Sequence, residues 1–206
     1  VVALSYFQGA TQPTLSDSKG NTWSGLTAQE NATGSCVCIF YAQNPTVGSG
    51  HTFTATGSGS YPAICAAAYS GAKTASVFDQ QNGAANTSSG TLATGSVTPS
   101  ENNELVVAAL GCNSSVSSIN GGFTIQESEN LTANNFGCGL ADLIQTTATA
   151  ANPTWTIGTT TNLAAAIATF KALPISPSAS ISPSASVSPS SSVSPSISAS
   201  ASVSPS

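Results

Sequence analysis

Short apolar runs alternate with polar, turn-forming runs through residues 1–172 of the chain. The apolar runs are rich in β-branched and aromatic residues and show almost none of the 3.6-residue periodicity of a helix. Gly, Pro, Asn, Asp and Ser, which favour turns, fill the polar runs. About eleven strands with no helix between them predict an all-β fold of two packed antiparallel sheets, a sandwich of jelly-roll type. The predicted strands are VVALSYF, TWSGLTA, CVCIFYA, HTFTAT, AICAAAYS, LATGSVT, ELVVAAL, FTIQESE, FGCGLADLIQ, PTWTIG and LAAAIATFKA.

The run LAAAIATFKA is open to two interpretations. Its alanines favour a helix. However, Leu163, Ala165 and Ile167 alternate with small residues, as in a strand between tightly packed neighbours. We therefore predict a closing strand here, and we predict a turn over the polar run QQNGAANTSSG.

A change of composition near Leu173 separates a domain at residues 1–172 from a Ser/Pro-rich tail at 173–206. Every even position from Ser176 onward is serine, and the odd positions hold mainly Ile, Val, Ala and Pro. The recurring prolines exclude a helix and disfavour a central strand. An extended β or polyproline II chain remains, with serines on one side, apolar residues on the other and a reach of roughly 100 Å.

Two interpretations of the tail remain open. It is either a free, O-glycosylated stalk or a segment that packs along neighbouring subunits in a fibre. The candidate O-glycosylation sites are the serines that flank four of its prolines, namely Ser176, Ser178, Ser182, Ser184, Ser188, Ser190, Ser194 and Ser196.

The charge composition argues against several classes of partner. Only 5% of the residues are charged, arginine is absent and the net charge is -5. Nucleic-acid binding relies on Lys and Arg to neutralise phosphates, so we expect no nucleic-acid partner. The apolar runs are too short to span a bilayer. Abundant Ser, Thr, Asn and Gly are typical of secreted proteins, so we expect an extracellular or cell-surface location.

The five cysteines leave three possibilities: a disulfide, buried thiols or a metal site. Cys36 and Cys38 would share one face of a strand. A zinc site is the least favoured, because the C-x-C spacing is unusual for zinc and His51 is the only histidine. The preferred disulfide pairings are Cys112 with Cys138 and Cys38 with Cys65.

Other candidate chemistry is weak, and a structural explanation is favoured for each element. Glu127 and Glu129 would share a strand face and could act as paired carboxylates, but a solvated strand edge is the simpler interpretation. The run DSKGN lacks the ligand set of a calcium loop and favours a hairpin turn with Gly20 at positive φ. His51 lacks the G-x-S-x-G context of a serine nucleophile. Four aromatic residues could form a sugar-stacking platform, although core packing is favoured: Trp23, Trp155, Tyr41 and Tyr61.

Four N-x-S/T sequons provide candidate N-glycosylation sites. Their asparagines are Asn31, Asn86, Asn113 and Asn130. The first three fall in predicted loops, where a glycan could be accommodated without a clash.

Several turn and core motifs resemble a family of uncharacterised secreted β-sandwich domains, mostly bacterial or phage-related. These motifs are LSDSKGNTW, YAQNPTVGSGHTFT, YPAICAAAYSG, FDQQNG, GSVTPSENNELVVAAL, GFTI and NPTW, followed by AAAIATFKA. The resemblance implies a fold and no catalytic residues. It also implies a missing first strand before VVALSYF, and hence an open sheet edge that recruits a strand from elsewhere.

The domain and tail together resemble, in architecture, the subunits of glycan-coated extracellular fibrils. We therefore expect a self-assembling, glycosylated structural subunit, with no enzymatic activity and no cofactor. Subunits would join by strand donation, from VVALSYF or from the tail, or by tail docking. The alternative is a carbohydrate-binding surface module on a glycosylated stalk, and a hydrolase that uses Glu127 and Glu129 ranks last.

Overall fold

A computed structural model describes residues 1–7, 12–31, 34–57 and 61–174. Within these ranges the chain contains strands and no helix, and Val1–Leu173 forms one compact unit. The candidate O-glycosylation serines of the tail lie outside the described residues. The strands are β1 Val2–Phe7, β2 Thr14–Asp17, β3 Ser24–Gly25, β4 Gln29–Glu30, β5 Ser35–Tyr41, β6 Phe53–Thr56, β7 Ala63–Ala66, β8 Phe78–Ala93, β9 Glu104–Cys112, β10 Val116–Ile119, β11 Thr124–Leu131, β12 Phe136–Gln145 and β13 Thr154–Phe170.

The strands form three antiparallel sheets. In the first sheet the order is β3-β5-β1-β7, with β4 also paired to β5. The second has the order β10-β13-β9-β12-β11, with β8 also paired to β13. A small third sheet pairs β2 with β6. The prediction of an all-β, antiparallel sandwich is confirmed.

The main core lies between the first and second sheets. Residues from both sheets share one buried apolar cluster, which includes Ala3, Val37 and Ile39 of the first sheet and Val107, Ala109 and Leu140 of the second. Residues at the intervening positions of β9, such as Val106 and Leu110, pack on the opposite face with Trp155. Both faces of β9 are therefore buried, which explains why ELVVAAL is a continuous apolar run rather than an alternating one.

A third apolar layer covers the outer face of the first sheet. Val2, Leu4 and Tyr6 of β1 pack there with Leu15 of β2, and Phe53 of β6 lies against them. The small β2-β6 sheet thus acts as a lid on the first sheet.

The predicted closing strand is confirmed as part of β13. Leu163, Ala165 and Ile167 lie in the outer cluster of the second sheet, whereas Ala164 and Ala166 lie in the main core. The alanines in β13 are small enough to be buried on both faces between closely packed layers.

The turn predicted over QQNGAANTSSG is wrong, because these residues lie within β8. They form a long antiparallel pairing with β13, from Phe78 opposite Phe170 to Ala93 opposite Thr154. Backbone hydrogen bonds to a neighbouring strand override the low β-propensity of Asn, Gly and Ser.

The segment VVALSYF does not itself lie at an open sheet edge. β1 pairs with β5 on one side and with β7 on the other, so it is an interior strand of its own sheet. The outer edge of β7 is partly blocked as well, because the Ala66 amide donates a 2.6 Å hydrogen bond to the Glu127 carboxylate of β11. A charged side chain on an edge amide is a common protection against strand addition.

Neither predicted disulfide forms, since all five cysteines are buried free thiols. Cys38 lies opposite Leu4 and Cys65 lies opposite Ala3. Consecutive residues of β1 point to opposite faces, so Cys38 and Cys65 lie on opposite sides of the first sheet.

The same geometry separates Cys112 from Cys138. Cys112 lies opposite Gly137, so Cys138, one residue further along β12, points to the other face of the second sheet. Cys36 and Cys38 do share one face, as the two-residue spacing predicts.

We expect alkylating reagents to leave the native thiols unmodified and to label all five after unfolding without reductant. Burial raises the pKa of Cys36 to about 11, of Cys38 to about 12 and of Cys112 to about 11, so few reactive thiolates exist at neutral pH. Intact mass after iodoacetamide treatment, with and without denaturant, provides the measurement. Fewer than five adducts on the unfolded chain would instead reveal a disulfide.

Candidate functional site: an apolar groove at one end of the sandwich

An open groove of about 520 Å³ lies at the end of the domain where β5 and β7 terminate. One wall is the loop 42–51 after β5, and the other is the segment 67–77 after β7. The side chains that form its apolar surface include Trp23, Tyr41, Val47, Phe53, Tyr69 and Phe170. Its volume falls in the range of ligand-binding pockets, roughly 300–1,000 Å³.

The floor of the groove is built from packed aromatic rings. Tyr41, at the end of β5, stacks on Phe78 with ring centroids 5.9 Å apart, and its ring lies 5.5 Å from that of Phe170. Tyr41 of β5 and Phe170 of β13 line the groove, and Phe78 of β8 packs against both rings, so both main sheets support the floor. The floor is rigid because its residues belong to paired strands.

Exposed apolar side chains mark the rim. Val47 is 54% exposed and Leu173 is 49% exposed, and both line the groove. Only two other large apolar side chains are comparably exposed in the described part of the chain, Tyr61 and Ile144. Clustered exposed apolar groups are typical of interaction sites, whereas single ones are ordinary.

The loop wall is held in place by the DSKGN segment. The Asn21 side chain donates to the Thr46 carbonyl at 2.9 Å and accepts from the Thr46 amide at 2.7 Å. The Lys19 ammonium donates to the Ser49 carbonyl at 3.1 Å. This short turn therefore clamps the loop 42–51 and positions Val47 on the rim.

Asp17 anchors that clamp. Its Oδ1 accepts hydrogen bonds from the Lys19 and Asn21 amides, and its Oδ2 accepts from the Trp23 indole at 2.8 Å. His51 Nε2 lies 3.2 Å from the same Oδ2, and the Asp17 side chain has no solvent exposure. Two groove residues, Trp23 and His51, are thus oriented by a single carboxylate.

The calcium alternative for DSKGN does not fit this geometry, since the Asp17 oxygens already face N–H donors. In the described residues no group of three or more His, Cys, Asp or Glu side chains is arranged to hold a metal. Gly20 has the predicted positive φ, at 73°. The predicted hairpin is wrong, however, because the strands on either side, β2 and β3, belong to different sheets.

We expect Asp17→Asn to weaken the domain at neutral pH and to flatten its loss of stability in acid. Burial alone would raise the pKa of Asp17, but hydrogen bonds from Asn21, Trp23 and His51 hold it well below its ordinary value. The stabilisation is therefore complete above the unfolded pKa of about 4 and is lost as the pH falls further.

Urea unfolding at a series of pH values below neutrality measures this effect. Glu129→Gln, which removes an exposed carboxylate on β11, is the control and should keep the acid dependence of the wild type. If the unfolding free energies of Asp17→Asn and the wild type fell in parallel as the pH decreases, Asp17 would not be the source of the acid dependence.

The second wall is fixed by the residues that lead into the tail. The Lys73 amide donates to the Lys171 carbonyl at 2.9 Å, and the Leu173 amide donates to the Gly71 carbonyl at 2.7 Å. The Val77 amide donates to the Gln43 side chain at 3.1 Å, which ties the two walls together. Leu173, the last residue of the domain, therefore lies at the groove.

The four aromatics of the predicted sugar platform do not form one surface. Trp155 is fully buried in the outer core of the second sheet, and Tyr61 lies near Phe136. Trp23 and Tyr41 do line the groove. Sequence analysis missed Tyr69 and Phe170 as their partners, because only the ends of β7 and β13 bring them there.

The two glutamates of the predicted carboxylate pair are exposed on β11. Glu127 caps the Ala66 amide across the sandwich edge. The role of Glu127 is therefore explained by edge protection.

The four sequons differ in accessibility. Asn31 lies between β4 and β5, outside the strands as predicted, but it is 1% exposed and its side-chain amide donates to the Asn86 carbonyl, so it is not accessible to a glycan. Asn86 is exposed but lies within β8 rather than a loop. Asn113 and Asn130 are partly buried. Among the candidates, Asn86 is the asparagine best placed to carry a glycan.

Comparison with protein-family models, with curated proteins and with solved structures finds no match for this chain. The resemblance to secreted β-sandwich domains stays a prediction. Among the described residues, no helix is long and apolar enough to cross a bilayer.

Proposed function

We propose that this protein is a structural subunit of an extracellular, glycosylated fibre, in which the groove of one subunit binds the tail of the next. The observation that carries the proposal is an open apolar groove on a domain whose own chain supplies a suitable ligand. That ligand is the 174–206 segment, which alternates serine with Ile, Val, Ala and Pro.

The chemistry of the groove matches the composition of the tail. Proline-rich segments dock in aromatic-lined grooves, because the extended polyproline conformation is preformed and loses little entropy on binding. Trp23, Tyr41 and Tyr69 supply aromatic faces, and Val47 supplies an apolar rim. The apolar side of the tail would lie in the groove, and the serine side would remain free to carry glycans.

The length of the tail favours an exchange between subunits. An extended chain rises by about 3.1 Å per residue, so residues 174–206 span roughly 100 Å. A segment of that reach can cross from one subunit to another. The exchange of identical segments in one direction is a head-to-tail contact, and it generates an open filament where the rotation between subunits does not close a ring.

Strand donation by VVALSYF has no support, since β1 is an interior strand of its own sheet. Tail docking is therefore the favoured mode of assembly. An N-linked glycan on exposed Asn86 and O-linked glycans on the tail would coat the fibre.

A second candidate function is polysaccharide binding in the same groove. It is favoured by the combination of Trp23 and Tyr41 with the polar side chains Gln43 and Asn44. Aromatic faces stack on sugar rings, and amides hydrogen-bond to hydroxyl groups. On this alternative, a monomer would bind glycans and the tail would act only as a spacer.

Electron microscopy of the full chain and of a chain that ends at Leu173 tests the proposal. Fibres from the full chain and none from the truncated chain would support tail docking. Equal fibres from both chains would refute it, and glycan binding by a monomeric full chain would favour the alternative.

A further inference from the structure

A second polar cluster lies away from the groove lining, where β8, β9 and β13 meet. Asp79 of β8 has its Oδ1 atom 3.2 Å from the Lys171 ammonium, and its side chain is only 6% exposed. The Ser100 hydroxyl donates to the same Oδ1 at 2.8 Å, and the Ser100 amide donates to Oδ2 at 2.8 Å. Three donors, the Lys171 ammonium and the hydroxyl and amide of Ser100, thus surround a nearly buried carboxylate.

Glu104 completes the cluster as a fully buried acid at the start of β9. Its Oε1 accepts from the Glu101 amide at 2.9 Å and lies 3.4 Å from the Ser100 hydroxyl. Burial and then the neighbouring Asp79 carboxylate raise the pKa of Glu104, so it retains its proton more readily than an ordinary glutamate. A fully buried acid is not needed to hold the Lys171–Asp79 ion pair, and Glu104 does not line the groove.

We propose that Lys171 and Asp79 condense into an intramolecular isopeptide bond, with Glu104 as the proton-transfer acid. Lysine amines are nucleophiles toward acyl carbons when positioned and deprotonated. The Nζ atom already contacts Oδ1, so it lies close to the Cγ carbon that it would attack. The fold therefore supplies the proximity that an uncatalysed condensation lacks.

The atoms and protons balance without an added reagent. The Lys171 ammonium transfers one proton to the Asp79 carboxylate, which leaves a neutral amine beside a neutral acid. The amine attacks Cγ, and the C–N bond forms while Oδ2 becomes an oxyanion stabilised by the Ser100 amide.

The second half of the reaction releases water. Glu104 protonates the leaving Oδ1 through the Ser100 hydroxyl, and the Cγ–Oδ1 bond breaks. Glu104 then receives the proton that the nitrogen loses, so its own proton is restored at the end of the reaction. The net change is one amide formed and one water released. Hydrogen bonding to Asp79 raises the pKa of Lys171, so little free amine exists and formation is slow.

The position of the bond gives it a mechanical consequence. Phe78 pairs with Phe170 at the end of the β8-β13 ladder, and Lys171 follows directly. The bond would join the two strands covalently at the point where the chain leaves the ladder. A pull on the tail would first break the Leu173–Gly71 hydrogen bond and would then load a covalent link rather than the end of the β8-β13 ladder. This inference does not depend on the proposed fibre.

Trypsin digestion of the full chain gives a direct test, because the chain has three lysines and no arginine. A free Lys171 yields separate peptides 74–171 and 172–206. An acylated Lys171 resists cleavage, so the expected product is a single peptide 74–206 that is lighter by one water molecule. The folded protein is stored until its mass no longer changes and is then digested. Cleavage after Lys171 would overturn the proposal, even if the chain had lost a water molecule at another position.

Matched variants test the chemistry. Lys171→Arg keeps the positive charge but should restore both peptides and the full mass. Lys73→Arg alters the neighbouring pair, in which Lys73 lies 2.9 Å from an exposed Glu101 carboxylate, and should retain the water loss. Glu104→Gln should slow formation at least tenfold, and an unchanged rate in this variant would remove Glu104 from the mechanism. The digest of the wild-type protein shows whether the bond is present, so this test remains valid even if the Glu104 variant does not fold.

Discussion

Fibre assembly is expected to fail when Val47 is replaced by glutamate, and to continue when Ile144 is replaced in the same way. The two side chains are similarly exposed, at 54% and 57%, so both variants should leave the fold intact. Only Val47 lines the groove. A carboxylate there would face the apolar side of a docked tail and would lose hydration without gaining a partner.

The expected loss of affinity is about 2 kcal/mol or more, the range of a binding hot spot, which corresponds to roughly a 30-fold change or greater. Negative-stain electron microscopy and sedimentation of the full-length variants measure assembly. A synthetic peptide of residues 174–206 provides a second readout, since it should change the fluorescence of Trp23 in a chain that ends at Leu173. Normal fibres from Val47→Glu would show that the groove is not the docking site.

The same experiment separates the fibre from the carbohydrate alternative. If the groove binds polysaccharide instead, the full-length wild type stays monomeric, and Val47→Glu and Trp23→Ala lose sugar binding. A groove that binds the tail would lose assembly in both variants.

Replacement of Trp155 by alanine is expected to cost about 3–5 kcal/mol of unfolding free energy, the usual result for removing a large buried aromatic side chain. Trp155 is fully buried at the start of β13. Gly139 on β12 makes room for its ring, because a Cβ at that position would lie 3.2 Å from the indole. Bulk solvent cannot fill the enclosed cavity left by the ring without losing hydrogen bonds.

Urea unfolding monitored by far-UV circular dichroism measures this loss. Trp23→Ala is the control and should cost less, since Trp23 is only partly buried and lies at the groove. A loss below about 1 kcal/mol for Trp155→Ala would contradict the enclosed position of the ring, because that value is ordinary for substitutions in general.

Local pattern was enough to predict most of the strands. FGCGLADLIQ coincides with β12, and VVALSYF contains β1, because an apolar run bounded by turn residues leaves few alternatives to a strand. The alternation in LAAAIATFKA identified a strand despite its alanines. Positive φ at Gly20 was also predictable, since a residue without Cβ accepts it at little cost.

Long-range pairing was not predictable in the same way. The residues of QQNGAANTSSG favour turns, yet β13 holds them in a strand by hydrogen bonds between segments some 80 residues apart. The disulfide predictions failed because the face on which a cysteine lies depends on register, and a shift of one residue reverses every side chain.

The candidate sites show the same division between sequence and tertiary structure. The sequence pattern by itself identified the all-β domain and predicts a two-faced extended tail, because periodicity and proline act through local sterics. The groove joins Trp23, Tyr41, Val47 and Phe170. The second cluster joins Asp79 of β8, Glu104 of β9 and Lys171, which directly follows β13. Only the tertiary structure decided these neighbours, because contacts between distant residues depend on sheet order and register, which short-range preferences do not encode.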